Sequence, residues 1–230
     1  MINNLNNKPL LLVGSRIPLG KIKRVCNQHN ITIAGILDSD YYNNRDIFEG
    51  ISVIDSEQNL IKYKNDFNFF IATGWSPDKN HIRDKEKRKS LINLLEKHSI
   101  TCINLIDKNS VVDATVKLGR GIFIDCFCLV EEGVELGDYV EMYNHAGVGH
   151  HSKIGTNTIL QGKSGVTSYV TIADHCYLGI CSSIMRSHTK IMSGTIVHPG
   201  LNVHRNSTCN ETISLTGKDL RKIYSYNEIT

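Results

Sequence analysis

Charge of neither sign dominates this sequence: 26 Lys and Arg stand against 23 Asp and Glu, a formal net charge of +3. Nothing in that balance demands a nucleic acid or an anionic membrane as partner. Long hydrophobic runs are absent too, so no segment reads as membrane-spanning, and the Asn-rich stretch Met1 to Lys8 lacks the apolar core of a secretory signal. A soluble, cytoplasmic protein is expected. Paired cysteines are also missing. Cys26, Cys102, Cys126, Cys128, Cys176, Cys181 and Cys209 are odd in number and lack the spacing of a zinc site, so they read as reduced thiols. What remains is a chain of 230 residues, 40% apolar, sufficient for two modest domains with real cores.

The strongest positive feature is a period of six. Val112, Leu118, Ile124, Val130, Leu136, Met142, Val148, Ile154, Leu160, Val166, Ile172 and Leu178 follow one another without a miss. Helices repeat their apolar residues every three to four positions and ordinary strands every two, whereas a hexapeptide step suits one short flat side of a parallel β-helix. The left-handed triangular form fits best. Four positions after each aliphatic comes a smaller residue, among them Cys128, Ala146, Ser152, Ser164, Cys176 and Ser182, as a second inward set should. Gly119, Gly137, Gly149, Gly155 and Gly179 follow the aliphatic directly, where a tight corner is expected. The period slips by one residue near Lys190, then resumes at Ile191, Val197 and Val203. The solenoid is thus expected over residues 107–208, with 209–230 as a short C-terminal helix or tail.

Residues 1–106 alternate strand and helix patterns instead, which predicts a small Rossmann-like α/β domain with a parallel sheet. Expected strands are Leu10 to Val13, Ile31 to Leu37, a minor one at Val53 and Ile54, Phe67 to Thr73, and Ile100 to Ile106. Helices are expected around Ile22, Val25 and Cys26, and within Asp78 to His98 with Leu91, Leu94 and Leu95 inward. The loop Gly14-Ser15-Arg16-Ile17-Pro18-Leu19-Gly20 joins the first strand to the first helix, where amide groups can cradle phosphate oxygens or simply make a tight turn. Asp38 or Asp40 can bond a ribose hydroxyl or serve as a cap, and Thr73-Gly74 would close the same crevice.

Three hexapeptides make an eighteen-residue coil, so residues eighteen apart stack about 4.8 Å from each other. Glu132, His150, Ser168 and Arg186 form one predicted column; Gly133, His151, Tyr169 and Ser187 form the next. His145, His150 and His151 fall within seven residues. Imidazoles titrate near neutrality and can take a proton from an incoming nucleophile, while an amide one coil above, at Ser168, can hold an oxyanion. Outward histidines on a polar solenoid can equally be mere solvated surface. The His-x4-His pair resembles two zinc ligands of γ-class carbonic anhydrases, but the third ligand position holds Asn109, so no metal is expected.

The segments Val148-Gly-His-His-Ser-Lys-Ile-Gly155 and Cys176-Tyr-Leu-Gly-Ile-Cys-Ser-Ser-Ile184 carry a family resemblance. The chain resembles sugar O- and N-acyltransferases that pair a nucleotide-sugar-binding domain with a left-handed β-helix. Within them it is most similar to acetyltransferases of UDP- or dTDP-linked 4-amino-4,6-dideoxy sugars, the bacillosamine and viosamine type, with sialic-acid O-acetyltransferases as relatives. The resemblance implies a homotrimer with acetyl-CoA between neighbouring subunits. It makes His150 the general base and gives the acetyl carbonyl to the Ser168 amide. It assigns pantetheine to Gly179 and Ile180, and CoA phosphates to Lys218 and Arg221. The nucleotide sugar would meet Gly14, Ser15, Arg16, Gly20, Asp38, Asp40, Thr73 and Gly74, with His145 and Asn144 also reaching substrate. The acid that usually follows the base is replaced by His151, so Glu132, one coil below, is the candidate to orient His150. A histidine usual nine residues after the base is Ile159, and the usual Gly-x-Pro-Ala-Lys ending is reduced to Leu215-Thr-Gly217-Lys218. The expected activity is direct N-acetylation of the sugar amine. A sugar O-acetyltransferase and a non-catalytic β-helix scaffold are the alternatives.

Overall fold

The structure, a computed structural model, describes residues 7–15, 19–42, 47–75 and 82–214. It divides into two compact units, one of residues 1–110 with 118–127, the other of 111–117 with 128–230. The division is not the single cut after Ile106 that the sequence suggests. Strand Leu105–Ile106 pairs in parallel with Phe123–Ile124, which draws the 118–127 segment into the first unit.

In the first unit, Leu10–Val13 (β1) is fully buried, as the central strand of a parallel sheet must be. The helix Leu19–Gln28 (α1) buries Ile22, Val25 and Cys26, one stripe at helical spacing. Then come Ile33–Leu37 (β2), the short helix Ser39–Tyr42 (α2), Ile47–Phe48 (β3) and Ile51–Asp55 (β4). A 3-10 turn over Glu57–Tyr63, Asn68–Ile71 (β5) and the helix Ile82–Lys97 (α3) follow. The sheet order is β3-β4-β2-β1-β5, parallel except for β3. Leu91 and Leu95 are buried as expected, but Leu94 is only half-buried. The strand expected over Ile100 to Ile106 shrinks to its last two residues. The Asn104 side chain occupies the intervening polar groups, accepting from the Ile122 amide at 3.0 Å and donating to the Gly119 carbonyl at 2.8 Å.

Lys21 and Arg24 of α1 hold two buried carboxylates in the same unit. Lys21 Nζ lies 2.7 Å from Asp125 Oδ2, and Arg24 Nε lies 2.9 Å from Asp107 Oδ2 while its second nitrogen meets Asp125. Burial pushes both carboxyls up, yet these bonds, with the Asn109 amide on Asp107 and the Cys126 amide on Asp125, hold them below the ordinary carboxylate value.

The second unit is built from two-residue strands, one per flat side. Val111–Val112, Leu129–Val130, Gly147–Val148, Gly165–Val166, Ser183–Ile184 and Asn202–Val203 stack into one parallel ladder. Glu135–Leu136, Lys153–Ile154, Thr171–Ile172 and Lys190–Ile191 stack in a second, and Glu141–Met142, Ile159–Leu160, Tyr177–Leu178, Ile196–Val197 and Thr212–Ile213 in a third. Three ladders with eighteen residues per coil fit the left-handed β-helix. The aliphatic second residues from Val130 to Val203 are buried, and so are the inward residues of the second set between them. Ser152 shows how a hydroxyl is accommodated inside: it donates to the Thr167 carbonyl and accepts from the Val170 amide, both at 3.0 Å.

Three expectations change in this unit. First, the corner lies not at the glycine after the aliphatic but two residues later. Tyr139, His145, His151, Asn157, Lys163, Tyr169, His175 and Cys181 all have φ between 54° and 61°. Gly137, Gly149, Gly155 and Gly179 are instead needed because the next coil passes close: a Cβ on any of them would approach its backbone to between 2.5 and 2.8 Å. Second, the inserted residue sits in the Arg186–Thr189 turn, so coil spacing becomes nineteen at Thr171↔Lys190 and His188, not Ser187, follows Tyr169. Third, the ladder continues past residue 208 to Ile213. The 215–230 segment lies outside the described residues.

Candidate active site

His150 stands at the vertex that follows strand Gly147–Val148. Its amide donates to Glu131 Oε2 at 2.8 Å, and its carbonyl accepts the Tyr169 amide at 3.0 Å, so its backbone is fixed from the coils below and above. Its ring is half free. Nδ1 lies 3.2 Å from His151 Nδ1, and the ring meets Tyr169 edge-on with centroids 4.9 Å apart. Glu132 is placed one coil below as expected, where its carbonyl accepts the His151 amide at 2.9 Å. The carboxylate that bonds the His150 backbone is that of Glu131, and the group at the imidazole is His151.

One coil above, the Ser168 amide has no hydrogen-bond acceptor among the described residues, although the amides on either side are used, Thr167 by Ile184 and Tyr169 by His150. Gly149 leaves the space beneath it: a Cβ there would lie 2.7 Å from Ser168 N. A groove of about 380 Å³ runs past this amide, lined by Leu129, Glu131, Gly149, Thr167, Ser168 and Met185. His150 lines a neighbouring cleft of about 330 Å³ with Val111, Asp113, Leu129, Glu131 and Glu132. Leu129 and Glu131 border both. Leu129 and Met185 are 46% and 54% exposed and add to a mostly apolar lining.

The remaining predicted residues of this unit occupy another vertex. Asn144 and His145 follow strand Glu141–Met142, and Gly179 and Ile180 follow Tyr177–Leu178 on the same ladder. One flat side of six residues, roughly 20 Å of extended chain at most, separates them from His150 and Ser168. The histidine cluster read from the sequence therefore straddles two corners. Gly179 has its amide on the Val197 carbonyl at 2.8 Å and its carbonyl on the Ser182 hydroxyl at 2.7 Å; Ile180 is exposed. Lys218 and Arg221 lie outside the described residues.

In the first unit, the carboxyl ends of β1, β2 and β5 bring Gly14, Ser15, Asp38 and Thr73 together. Gly14 has φ +79° and a Cβ on it would strike Thr73 Oγ1 at 1.9 Å, so only glycine fits. Ser15 Oγ donates to Asp38 Oδ2 at 2.7 Å, the Asp40 amide to Asp38 Oδ1 at 3.0 Å, and all of Ser15, Asp38 and Thr73 are buried. Asp38 thus braces the loop, while Asp40, with 45% of its side chain exposed, is the acid open to solvent. Gly20 lies in α1 with open space at its Cα, and Gly74 is half-buried; Arg16 lies outside the described residues. Two residues that sequence reasoning missed complete this end. Lys87 Nζ reaches Glu57 at 2.6 Å and lies 3.8 Å from both Asp38 and Asp40, and the buried Arg88 donates to the Thr73 carbonyl at 2.6 Å. Burial raises the Glu57 carboxyl, but its bonds to Lys87 and Ser39 bring it below its ordinary value. Nothing distinguished those two cations from the other basic residues of α3.

The described residues bring together no group of three His, Cys, Asp or Glu side chains able to hold a metal, and none of their helices is long and apolar enough to cross a membrane. Burial pushes the Cys176 thiol up to about 11 and those of Cys26 and Cys102 to about 12, far from the thiolate a nucleophile needs.

No family model matches the chain, nor does any curated protein. Solved structures do. A perosamine N-acetyltransferase from Caulobacter crescentus, solved with CoA and GDP-perosamine, superimposes with a TM-score of 0.74 at 20% identity, over 92% of this chain and 94% of that one. The acetyltransferase domain of PglB from Neisseria gonorrhoeae gives 0.72 at 18% identity, over 90% and 96%. WeeI from Acinetobacter baumannii gives 0.74 at 20%, again over 90% and 96%. Along nearly its whole length, then, the chain shares the fold of structures that include nucleotide-sugar N-acetyltransferases.

Proposed function

We propose that the protein is an acetyl-CoA-dependent N-acetyltransferase that acts on the amine of a nucleotide-linked 4-amino-4,6-dideoxy sugar. The observation that carries this reading is the pairing of the His150 imidazole with the unoccupied Ser168 amide, one coil apart across Gly149. Acyl transfer from a thioester needs those two elements: an acceptor for the nucleophile's proton and a donor for the oxygen that becomes negative. The sugar amine attacks the thioester carbonyl as His150 Nε2 takes its proton. The tetrahedral oxyanion points at the Ser168 N–H. Collapse breaks the C–S bond, and the departing CoA thiolate recovers the proton from His150. The raised thiols of the buried cysteines support direct transfer without an acyl-enzyme.

Acetyl-CoA would run along the groove beside Leu129 and Met185, and the exposed vertex at Ile180 would serve it from an adjacent copy. The two vertices lie a full side apart in one chain, so a homotrimer with the cofactor between neighbours reunites them. The nucleotide is assigned to the first unit, whose parallel strands run β4-β2-β1-β5, the order of a Rossmann-like half with its crevice between β1 and β5. UDP, dTDP and GDP are all candidates, since one similar structure holds a GDP sugar. A cytoplasmic location follows from those substrates.

Thermal-shift titration with acetyl-CoA, UDP, dTDP and GDP tests the assignment. Stabilisation by CoA and by one nucleotide is expected, about 2.7 kcal/mol at a hundredfold excess over Kd. CoA alone would instead support O-acetylation of a free sugar, and neither would leave a scaffold. His150→Ala should lower kcat by about two to four orders of magnitude. Turnover close to wild type in that variant would remove His150 from the mechanism.

A further inference from the structure

The geometry points to His151 as the positioning residue of the reaction: it accepts the Nδ1 proton of His150 and so leaves Nε2 bare toward substrate. This rests on His150 being the base. The two Nδ1 atoms lie 3.2 Å apart, so one of the pair carries a proton and the other accepts it. Only with the proton on His150 Nδ1 is His150 Nε2 a base. The acquired proton then makes His150 an imidazolium whose Nδ1–H still finds an acceptor, and the positive charge is shared along the bond rather than left on one ring.

His151 is held for this purpose from both sides. Below it, Gly133 offers a bare Cα, and a Cβ at that position would come to 3.0 Å from the His151 ring. Above it, Tyr169 stacks at 5.4 Å and 22°, and His188 stacks on Tyr169 at 5.3 Å and 17°. The His150 and His151 rings meet at 88°, an edge-on arrangement that aims one Nδ1 at the other. The ionisable groups around the pair are Asp113, Glu131 and Glu132 from the coils below, and Tyr169 and His188 above. Glu131 is engaged by the His150 amide, and Lys153, which opens the following strand, pairs with Glu135 at 3.3 Å. Asp113 is engaged by Thr115 at 2.6 Å. Among the described residues none of these bonds brings a carboxylate to the imidazole pair, so His151 is the acceptor that the backbone delivers.

Two substitutions separate the hydrogen bond from the packing. His151→Asn keeps an acceptor at the δ position, does not titrate and tolerates the left-handed backbone at φ 58°. His151→Phe keeps the stack on Tyr169 and removes the acceptor. CoA release is followed with the UDP-, dTDP- or GDP-linked 4-amino-4,6-dideoxyhexose that turns over fastest. His151→Asn should stay within a few-fold of wild-type kcat. His151→Phe should lose roughly tenfold to a hundredfold in kcat, as other working histidines do when their hydrogen-bond partner is removed, with KM for acetyl-CoA unchanged. Long-range ¹H–¹⁵N NMR reads the tautomer without turnover: His150 should carry its proton on Nδ1 in the wild type and in His151→Asn, and on Nε2 in His151→Phe. An active Phe variant beside an impaired Asn variant, or an Nε2–H tautomer in the wild type, would overturn the role of His151. Loss of activity in His150→Ala together with unchanged His151 variants would spare the base and reject only its partner.

Discussion

Gly149→Ala places one methyl group between the two halves of the proposed site. Its Cβ would lie 2.7 Å from Ser168 N and 2.8 Å from Thr167 C, whereas an ordinary contact needs at least 3.4 Å, so the coils must part locally by about 0.7 Å. Both atoms are backbone and cannot rotate away. A shift of that size takes the amide out of hydrogen-bond range of the oxyanion, and loss of one such donor costs about a hundredfold to a thousandfold in kcat. Overpacking against backbone should also destabilise the protein by about 1–3 kcal/mol. Gly165→Ala is the internal control. It lines the same groove one coil above Gly147, but its Cβ would meet nothing closer than the Ser183 Cβ at 3.8 Å, so the fold should be unaffected. Steady-state kinetics and melting curves for both variants separate the effects. A Gly149→Ala enzyme that melts earlier yet keeps kcat within twofold of wild type would refute the assignment of the Ser168 amide.

Ser164 presents a buried hydroxyl with no hydrogen-bond partner among the described residues, so Ser164→Ala should stabilise the solenoid by about 1 kcal/mol and raise Tm by about 2–4 °C; an unchanged or lower Tm would show that the hydroxyl is satisfied. The carboxyls of Asp107 and Asp125 lie below their ordinary value of 3.8, so their contribution to stability is complete above about pH 4 and is lost as pH falls through their folded values. Arg24→Met should therefore lower Tm at pH 6 and converge with the wild type as pH falls through the folded carboxyl values, and melting curves that stay parallel on acidification would refute the linkage. Arg88→Met leaves the buried Thr73 carbonyl without its guanidinium donor and should lower Tm at every pH, with nucleotide stabilisation weakened and CoA stabilisation intact.

The solenoid was legible because its signal is repeated. Each side of each coil independently demands an aliphatic residue at one inward position and a smaller one at the other, so Met142, Val148 and Ile154 align from the sequence itself. The corners were not legible, because Tyr139, Lys163, Tyr169 and His151 occupy left-handed backbone that carries no sequence preference for them. Ladder hydrogen bonds on both sides impose it, at about 1 kcal/mol each. The glycines that looked like corner residues answer a different constraint, the passage of the next coil. Similar logic separates Glu131 from Glu132. Stacking by eighteen identifies a column but not which of two adjacent side chains turns back to the amide above. In the first unit, the strand and loop glycines were readable from local pattern, whereas Lys87 and Arg88 reach the crevice from a helix far along the chain, and no spacing rule links them to it.

A repetitive scaffold needs a local departure to become a site, and here the departure is an imidazole set one coil from an open corner amide. The amide two residues after each inward aliphatic points away from the ladder. At Cys126, His150 and Thr156 a carboxylate takes it, from Asp125, Glu131 and Asp174 at 2.9, 2.8 and 2.7 Å. At Ser168, as at Gly162, Asp174 and Ile180, no acceptor takes it among the described residues, and one coil below Ser168 stands the His150 imidazole. An unpaired amide beside a carboxylate would bond to it and be lost to substrate. Glu131 is spent on His150 instead, and the one donation both fixes the proposed base and keeps the acid from the proposed oxyanion site. Glu131→Gln should therefore be mild, since an amide oxygen can still accept from His150. Glu131→Ala should cost more through a loosened His150 backbone, and equal kcat for the two variants would show that this bond has no part in placing the base.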